Sequence, residues 1–85
     1  MGKRYMEIVV KVRREDEEAL IGLLSLFRVE ELWVEIDGDE VIVRGYTEPS
    51  FTNRIYELKD TIYARVGDCA FDVKSVEEED WEINS

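Results

Sequence analysis

The chain has 85 residues, 38% of them charged, and its 21 acidic against 11 basic side chains leave a formal net charge of −10. That length holds one core, near the lower size at which a domain folds without disulfides or metal, and such a charge repels phosphate backbones and anionic membranes while favouring basic partners. No apolar run approaches the roughly 18 residues of a membrane-spanning helix, and MGKRYMEIVV lacks the apolar core of a secretory signal. Nucleic acid and membrane are therefore not expected as partners, and a cytoplasmic setting is.

Tyr5 to Val12 alternates, with Met6, Ile8, Val10 and Val12 on one face, and reads as a first strand. The acidic run Glu15-Asp16-Glu17-Glu18 then precedes Leu20, Leu23, Leu24 and Phe27 at helical spacing, predicting a helix to about Arg28 whose acids complement its dipole. Four acids at a helix start are a solvated surface rather than a metal site. Leu32, Val34 and Ile36 alternate again, as do Val41 and Val43. Gly38-Asp39 as a two-residue loop pairs Asp37 with Glu40, Ile36 with Val41 and Val34 with Val43, so that the apolar partners share one face. This turn lacks the spacing of a calcium-binding loop and is too short to encircle an ion.

Thr47-Glu48-Pro49-Ser50 carries capping residues and a proline suited to a first helical turn; Phe51, Ile55, Leu58 and Ile62 follow at helical spacing, and Gly67 sits where a left-handed terminus is needed. Cys69, Phe71 and Val73 form a fourth alternating strand. Cys69 is the one cysteine, and with no histidine in the chain to activate it, it reads as a small apolar residue rather than a nucleophile. The order βαββαβ predicts a ferredoxin-like α+β sandwich, a four-stranded antiparallel sheet with two helices on one face. Residues 1–76 form the domain and residues 77–85 an acidic tail or the start of a linker. The helix-facing layer is expected to hold Ile8, Val10, Val12, Leu32, Val34, Ile36, Val41, Val43, Phe71 and Val73.

The sheet's other face is unusually apolar for bare solvent. It carries Tyr5, Val9, Trp33, Ile42, Tyr46, Ala70 and Val76 among Glu7, Glu35, Arg44, Asp72 and Lys74. Such a patch reads equally as a protein interface or as scattered surface hydrophobes with long side chains lying over them, with Val9 and Ile42 as neighbours on the central strands and Trp33 facing Arg44 as a cation–π pair. RNA-binding sheets also show aromatics here, but within a basic surround. No catalytic constellation, phosphate loop or Cys/His metal spacing is present, so no enzyme activity, cofactor or metal is expected. The absence of Gln and His beside abundant Glu, Lys and Arg is a composition of thermophilic proteins.

Taken together, MEIVVKVRREDEEALIGLL, VEIDGDEVIVRGY and FDVKSVEEEDW resemble the N-terminal domain of the PrmA-type ribosomal-protein methyltransferases. In that family a small ferredoxin-like domain recognises a ribosomal protein, and a segment similar to V-x-x-E-D-W leads to a methyltransferase domain that binds S-adenosylmethionine. The catalytic domain has no counterpart here, so the resemblance implies recognition without methyl transfer. It adds Glu79, Asp80 and Trp81 to the expected protein-interaction residues Val9, Trp33, Glu35, Ile42, Arg44 and Tyr46, with a basic, ribosomal protein as partner. The alternatives are a homo-oligomeric small-ligand sensor, its copies meeting through the outer sheet face, and a small structural subunit of an assembly.

Overall fold

The computed structural model of the chain describes residues 4–77. Strand β1 (Arg4–Arg13) leads through a 3-10 turn (Arg14–Asp16) into helix α1 (Glu17–Leu26), followed by strands β2 (Glu31–Asp37) and β3 (Glu40–Thr47). A second 3-10 turn (Pro49–Arg54) precedes helix α2 (Ile55–Val66) and strand β4 (Ala70–Glu77). The sheet order is β2-β3-β1-β4 with all neighbours antiparallel, the ferredoxin-like arrangement expected from the pattern. The hairpin register is also as expected: Val34 faces Val43, Ile36 faces Val41 and Asp37 faces Glu40. Gly38 supplies the positive φ (63°) that a tight two-residue loop requires at its first position.

The core lies between the helices and the even-numbered side of β1. Ile8, Val10 and Val12 meet Val41 and Val43 from the sheet and Leu20, Leu24, Leu58 and Ile62 from the helices. Each fully buried aliphatic side chain contributes roughly 1.5–3 kcal/mol. Val34 and Ile36 depart from the expected layer: they lie on the helix side of β2 but remain 44% and 61% exposed. Helix α1 has 10 residues, and the helical layer buries the two central strands while leaving the edge strand β2 largely uncovered.

Helix α1 stops two residues before the expected Arg28, and its end is a hydrogen-bonded reversal. The Val29 N–H donates to the Leu24 carbonyl and the Arg28 N–H to the Ser25 carbonyl, both at 2.9 Å, which is the paired pattern of a Schellman motif. Arg28 holds the left-handed position, φ 66°, where glycine is usual. The reversal drives Val29 fully into the core, a residue the helical spacing does not single out. Its seat is Gly45 on β3: a Cβ built there would stand 2.6 Å from Val29 Cγ1 and 3.2 Å from Leu32 Cδ2.

The second helical segment also differs from its expectation. Pro49 opens a 3-10 turn that carries the buried Phe51, and α-helix begins only at Ile55. Gly67 ends α2 at φ 84°, ψ −173°, an extended glycine-only conformation rather than the left-handed helical one. Replacing Gly45 by Ala should destabilise the protein by about 1–3 kcal/mol, because Val29 is packed on all sides. Gly22→Ala, inside α1 with nothing near its Cβ position, should stabilise by up to about 1 kcal/mol. Urea unfolding of both variants checks the pair, and equal midpoints would refute the packing account.

Candidate functional site

On the open side of the sheet the cross-strand rows are read directly from the register. Glu31, Tyr46, Glu7 and Lys74 form one row, and Trp33, Arg44, Val9 and Asp72 the next. Glu7 lies on central β1 and is only 9% exposed. Its carboxylate accepts the Tyr46 hydroxyl at 2.6 Å and pairs with Lys74 Nζ at 3.3 Å. The Tyr46 hydrogen bond pulls the Glu7 carboxyl below its ordinary range against the opposing effect of burial, with Lys74 assisting. The same bond pushes the Tyr46 phenol up.

Arg44 faces Trp33 across the hairpin as expected, but its guanidinium turns to Glu35 Oε1 at 2.8 Å, so the pairing is ionic rather than cation–π. Val9 and Ile42 are diagonal rather than direct neighbours: Val9 faces Arg44 and Ile42 faces Lys11. Lys11 reaches the hairpin tip, with Asp37 Oδ2 at 3.1 Å and Glu40 Oε1 at 3.4 Å from its Nζ. One ammonium thereby offsets the like-charge pair that closes the β2–β3 ladder, and the hydrogen bond to Asp37 leads the effects that raise the lysine pKa.

Val9, Trp33, Glu35, Ile42, Arg44 and Tyr46 are thus brought onto one face. Val9, Ile42, Arg44 and Tyr46 are half-buried, whereas Trp33 is 68% exposed. Glu79, Asp80 and Trp81 lie outside the described residues. Among the described residues no cluster of acidic, Cys or His side chains is arranged to hold a metal ion, and no helix is long and apolar enough to cross a membrane. Burial, then Asp68 and Asp16, push the Cys69 thiol up, away from the reactive thiolate.

A cleft of about 490 Å³, which periodicity in the sequence does not reveal, lies where β1 begins, β3 ends, and the reversal after α1 comes beside the 3-10 turn Pro49–Arg54. That volume falls within the ~300–1,000 Å³ of small-molecule sites. Its aromatic walls come from Tyr5, Phe27, Tyr46 and Phe51, its cations are Arg28 and Arg54, and Glu30, Glu31 and Glu48 stand around them. The Arg54 guanidinium lies over the Phe27 ring, 4.7 Å from its centroid, and 3.6 Å from Glu57 Oε1. Phe27 and Phe51 pack edge to face at 6.5 Å. Arg28 enters the cleft from its left-handed position, so a strained backbone stands at the rim. A second hollow of about 160 Å³, beside Lys11, Asp16, Asp68 and Cys69, is too small for a ligand of this class.

No family model matches the chain, and no curated protein matches it in sequence. Among solved structures, two of CPII carry the same fold; this is a nitrogen regulatory PII-like protein from Thiomonas intermedia K12, bound to ADP, AMP and bicarbonate. One aligns at TM-score 0.73 with 8% identity, covering 91% of this chain and 92% of that one. The other aligns at TM-score 0.72 with 7% identity, covering 91% and 94%.

These findings overturn the resemblance to a ribosomal-protein methyltransferase domain: no such family matches, and the structural neighbours are PII-like. The stretches behind that resemblance consist mostly of strand alternation and acidic helix starts, which any βαββαβ chain of this composition shares. Their one distinctive element, Glu79-Asp80-Trp81, falls outside the described residues.

Because the folded Glu7 carboxyl titrates below its ordinary 4.5, its stabilising effect is fully present above that pH and lost as pH falls through the lowered value. Glu7→Gln should therefore cost about 1–2 kcal/mol at pH 7 and flatten the acid limb of a stability–pH curve measured by urea unfolding. An acid limb as steep as in the unaltered protein would rule out this role.

Proposed function

We propose that the chain is a noncatalytic, homo-oligomeric sensor of a small anionic ligand, working in the cytoplasm. The observation that carries this reading is the cleft lined by Arg28 and Arg54, which joins aromatic walls to two arginines in a volume suited to a nucleotide-sized molecule. Arginine binds phosphate or carboxylate in a bidentate fork, and aromatic rings accept a planar base. The acids at the rim offset the guanidiniums in part, so a bare anion is a poorer fit than a ligand that also carries donors. An exocyclic amino group beside Glu30 or Glu31 meets that requirement.

Two further observations support the reading. The PII-like neighbours are described as bound to ADP, AMP and bicarbonate. The left-handed Arg28 is also a costly residue where glycine would relieve strain, and strain of this kind is concentrated at binding sites. Self-association is assigned to the open sheet face, where Val9, Ile42 and Trp33 lie among paired charges. A ribosomal partner has no support in the comparisons, and a basic protein partner in general is favoured by the net charge alone.

ADP, AMP and bicarbonate, each added separately, should raise the melting temperature for at least one of them, by about 4–8 °C for each kcal/mol of binding free energy. Arg28→Gly separates strain from function. It should raise the melting temperature of the free protein, by about 0.5–1 kcal/mol in stability, while reducing the ligand-induced shift. Absence of a shift with all three ligands would overturn the sensor reading. Light scattering coupled to size exclusion checks the assembly, and a monomer at every concentration would remove the homo-oligomer.

A further inference from the structure

Strand β2 is an edge strand, paired with β3 on one side alone. Its register runs without a bulge from Glu31 opposite Tyr46 to Asp37 opposite Glu40. Edge strands in natural proteins are usually protected from further pairing by charged side chains, lysine above all, or by a proline, a bulge or a covering segment; acidic charges guard only against a partner of the same sign. The sequence Glu31-Leu32-Trp33-Val34-Glu35-Ile36-Asp37 contains neither lysine nor proline, and no bulge interrupts it. On its helix side the uncovered Val34 and Ile36 are apolar. On its open side every residue except Trp33 is a carboxylate.

We propose that β2 is a strand-addition site for an extended segment of a partner protein in which Lys or Arg alternates with aliphatic residues. Side chains alternate across a sheet, so such a segment would place its aliphatic residues beside Val34 and Ile36 and its cations beside Glu31, Glu35 and Asp37. Glu35 is shared with Arg44 and Asp37 with Lys11. Glu31 has no ion pair among the described residues and is the strongest anchor. The exposed Trp33 ring, midway along the open side, offers a face to an incoming guanidinium.

Charge decides against the β2 strand of a second copy. A two-fold antiparallel pairing that keeps both open faces together and overlaps most of the strand has three registers. Centred on Trp33 it sets Glu31 against Glu35; centred on Val34, Glu31 against Asp37; centred on Glu35, Glu35 against its own copy. Each stacks carboxylates directly across the ladder, where like charges destabilise. A basic strand reverses the sign of every one of these pairs. The site is separate from the ligand cleft, except that Glu31 touches both, and it does not depend on the sensor reading.

The test uses the full chain and a fluorescent synthetic peptide alternating Lys or Arg with Val or Ile, beside a control of the same pattern with Glu in place of the cations. Fluorescence anisotropy should give saturable binding of the basic peptide, weakened by salt, and none of the acidic one. Glu31→Lys combined with Ile36→Lys should reduce affinity by at least about tenfold, with circular dichroism confirming that the variant folds. Glu31→Gln, a milder change, should reduce it in the same direction. Hydrogen exchange should slow across residues 31–37 when the peptide is bound. No binding, equal binding of both peptides, unaltered affinity in the variants, or protection at β4 instead would each overturn the proposal. So would β2 protection that grows with protein concentration in the absence of peptide, since a second copy would then be the occupant.

Discussion

Val29 resting on Gly45 is the contact from which the rest of this half of the molecule follows. The Cβ that Gly45 lacks leaves room for one branched side chain, and Val29 fills it. To deliver Val29 there, α1 must stop at Leu26 and reverse within two residues, which forces Arg28 into a left-handed backbone conformation. The same reversal sets the start of β2 and brings Arg28 to the rim of the cleft beside Phe27. One packing requirement therefore shapes the core, the helix end and the candidate ligand site together.

A second constraint runs along β1. As a central strand it offers its open side to neighbours on both edges, and its polar residues there serve them. Glu7 binds Tyr46 of β3 and Lys74 of β4, while Lys11 gathers Asp37 and Glu40 at the hairpin tip. These pairs hold charged side chains over a face that also carries Val9 and Ile42. The result is a surface with apolar area but few unpartnered charges, a combination suited to contact with another protein surface.

The two candidate sites sit where the two layers fail to match. The helical layer leaves Val34 and Ile36 of β2 uncovered, and the reversals at the other end of the sheet border the cleft. The negative charge of the chain acts differently at the two places. At β2 the acids are unmixed along one side of a strand and favour a basic alternating partner. In the cleft they are interspersed with two arginines, which favours a ligand carrying both anionic and donor groups.

The alternation of β1 and the β2–β3 hairpin, the helical spacing of Leu20 to Phe27, and the order of elements were all legible in the sequence, because periodicity reports which residues share a face. That was sufficient for the βαββαβ fold, the register from Val34–Val43 to Asp37–Glu40, and the grouping of Val9, Trp33, Glu35, Ile42, Arg44 and Tyr46. Periodicity carries no information about how far one layer extends over another, so Val34 and Ile36 read as core although the helices leave them exposed. Nor does it reveal a left-handed Arg28, whose conformation is imposed by a valine meeting a distant glycine. The cleft belongs to the same class: its residues come from three separate segments, and only the packing of helix ends against strand ends brings Arg28 and Arg54 to one place.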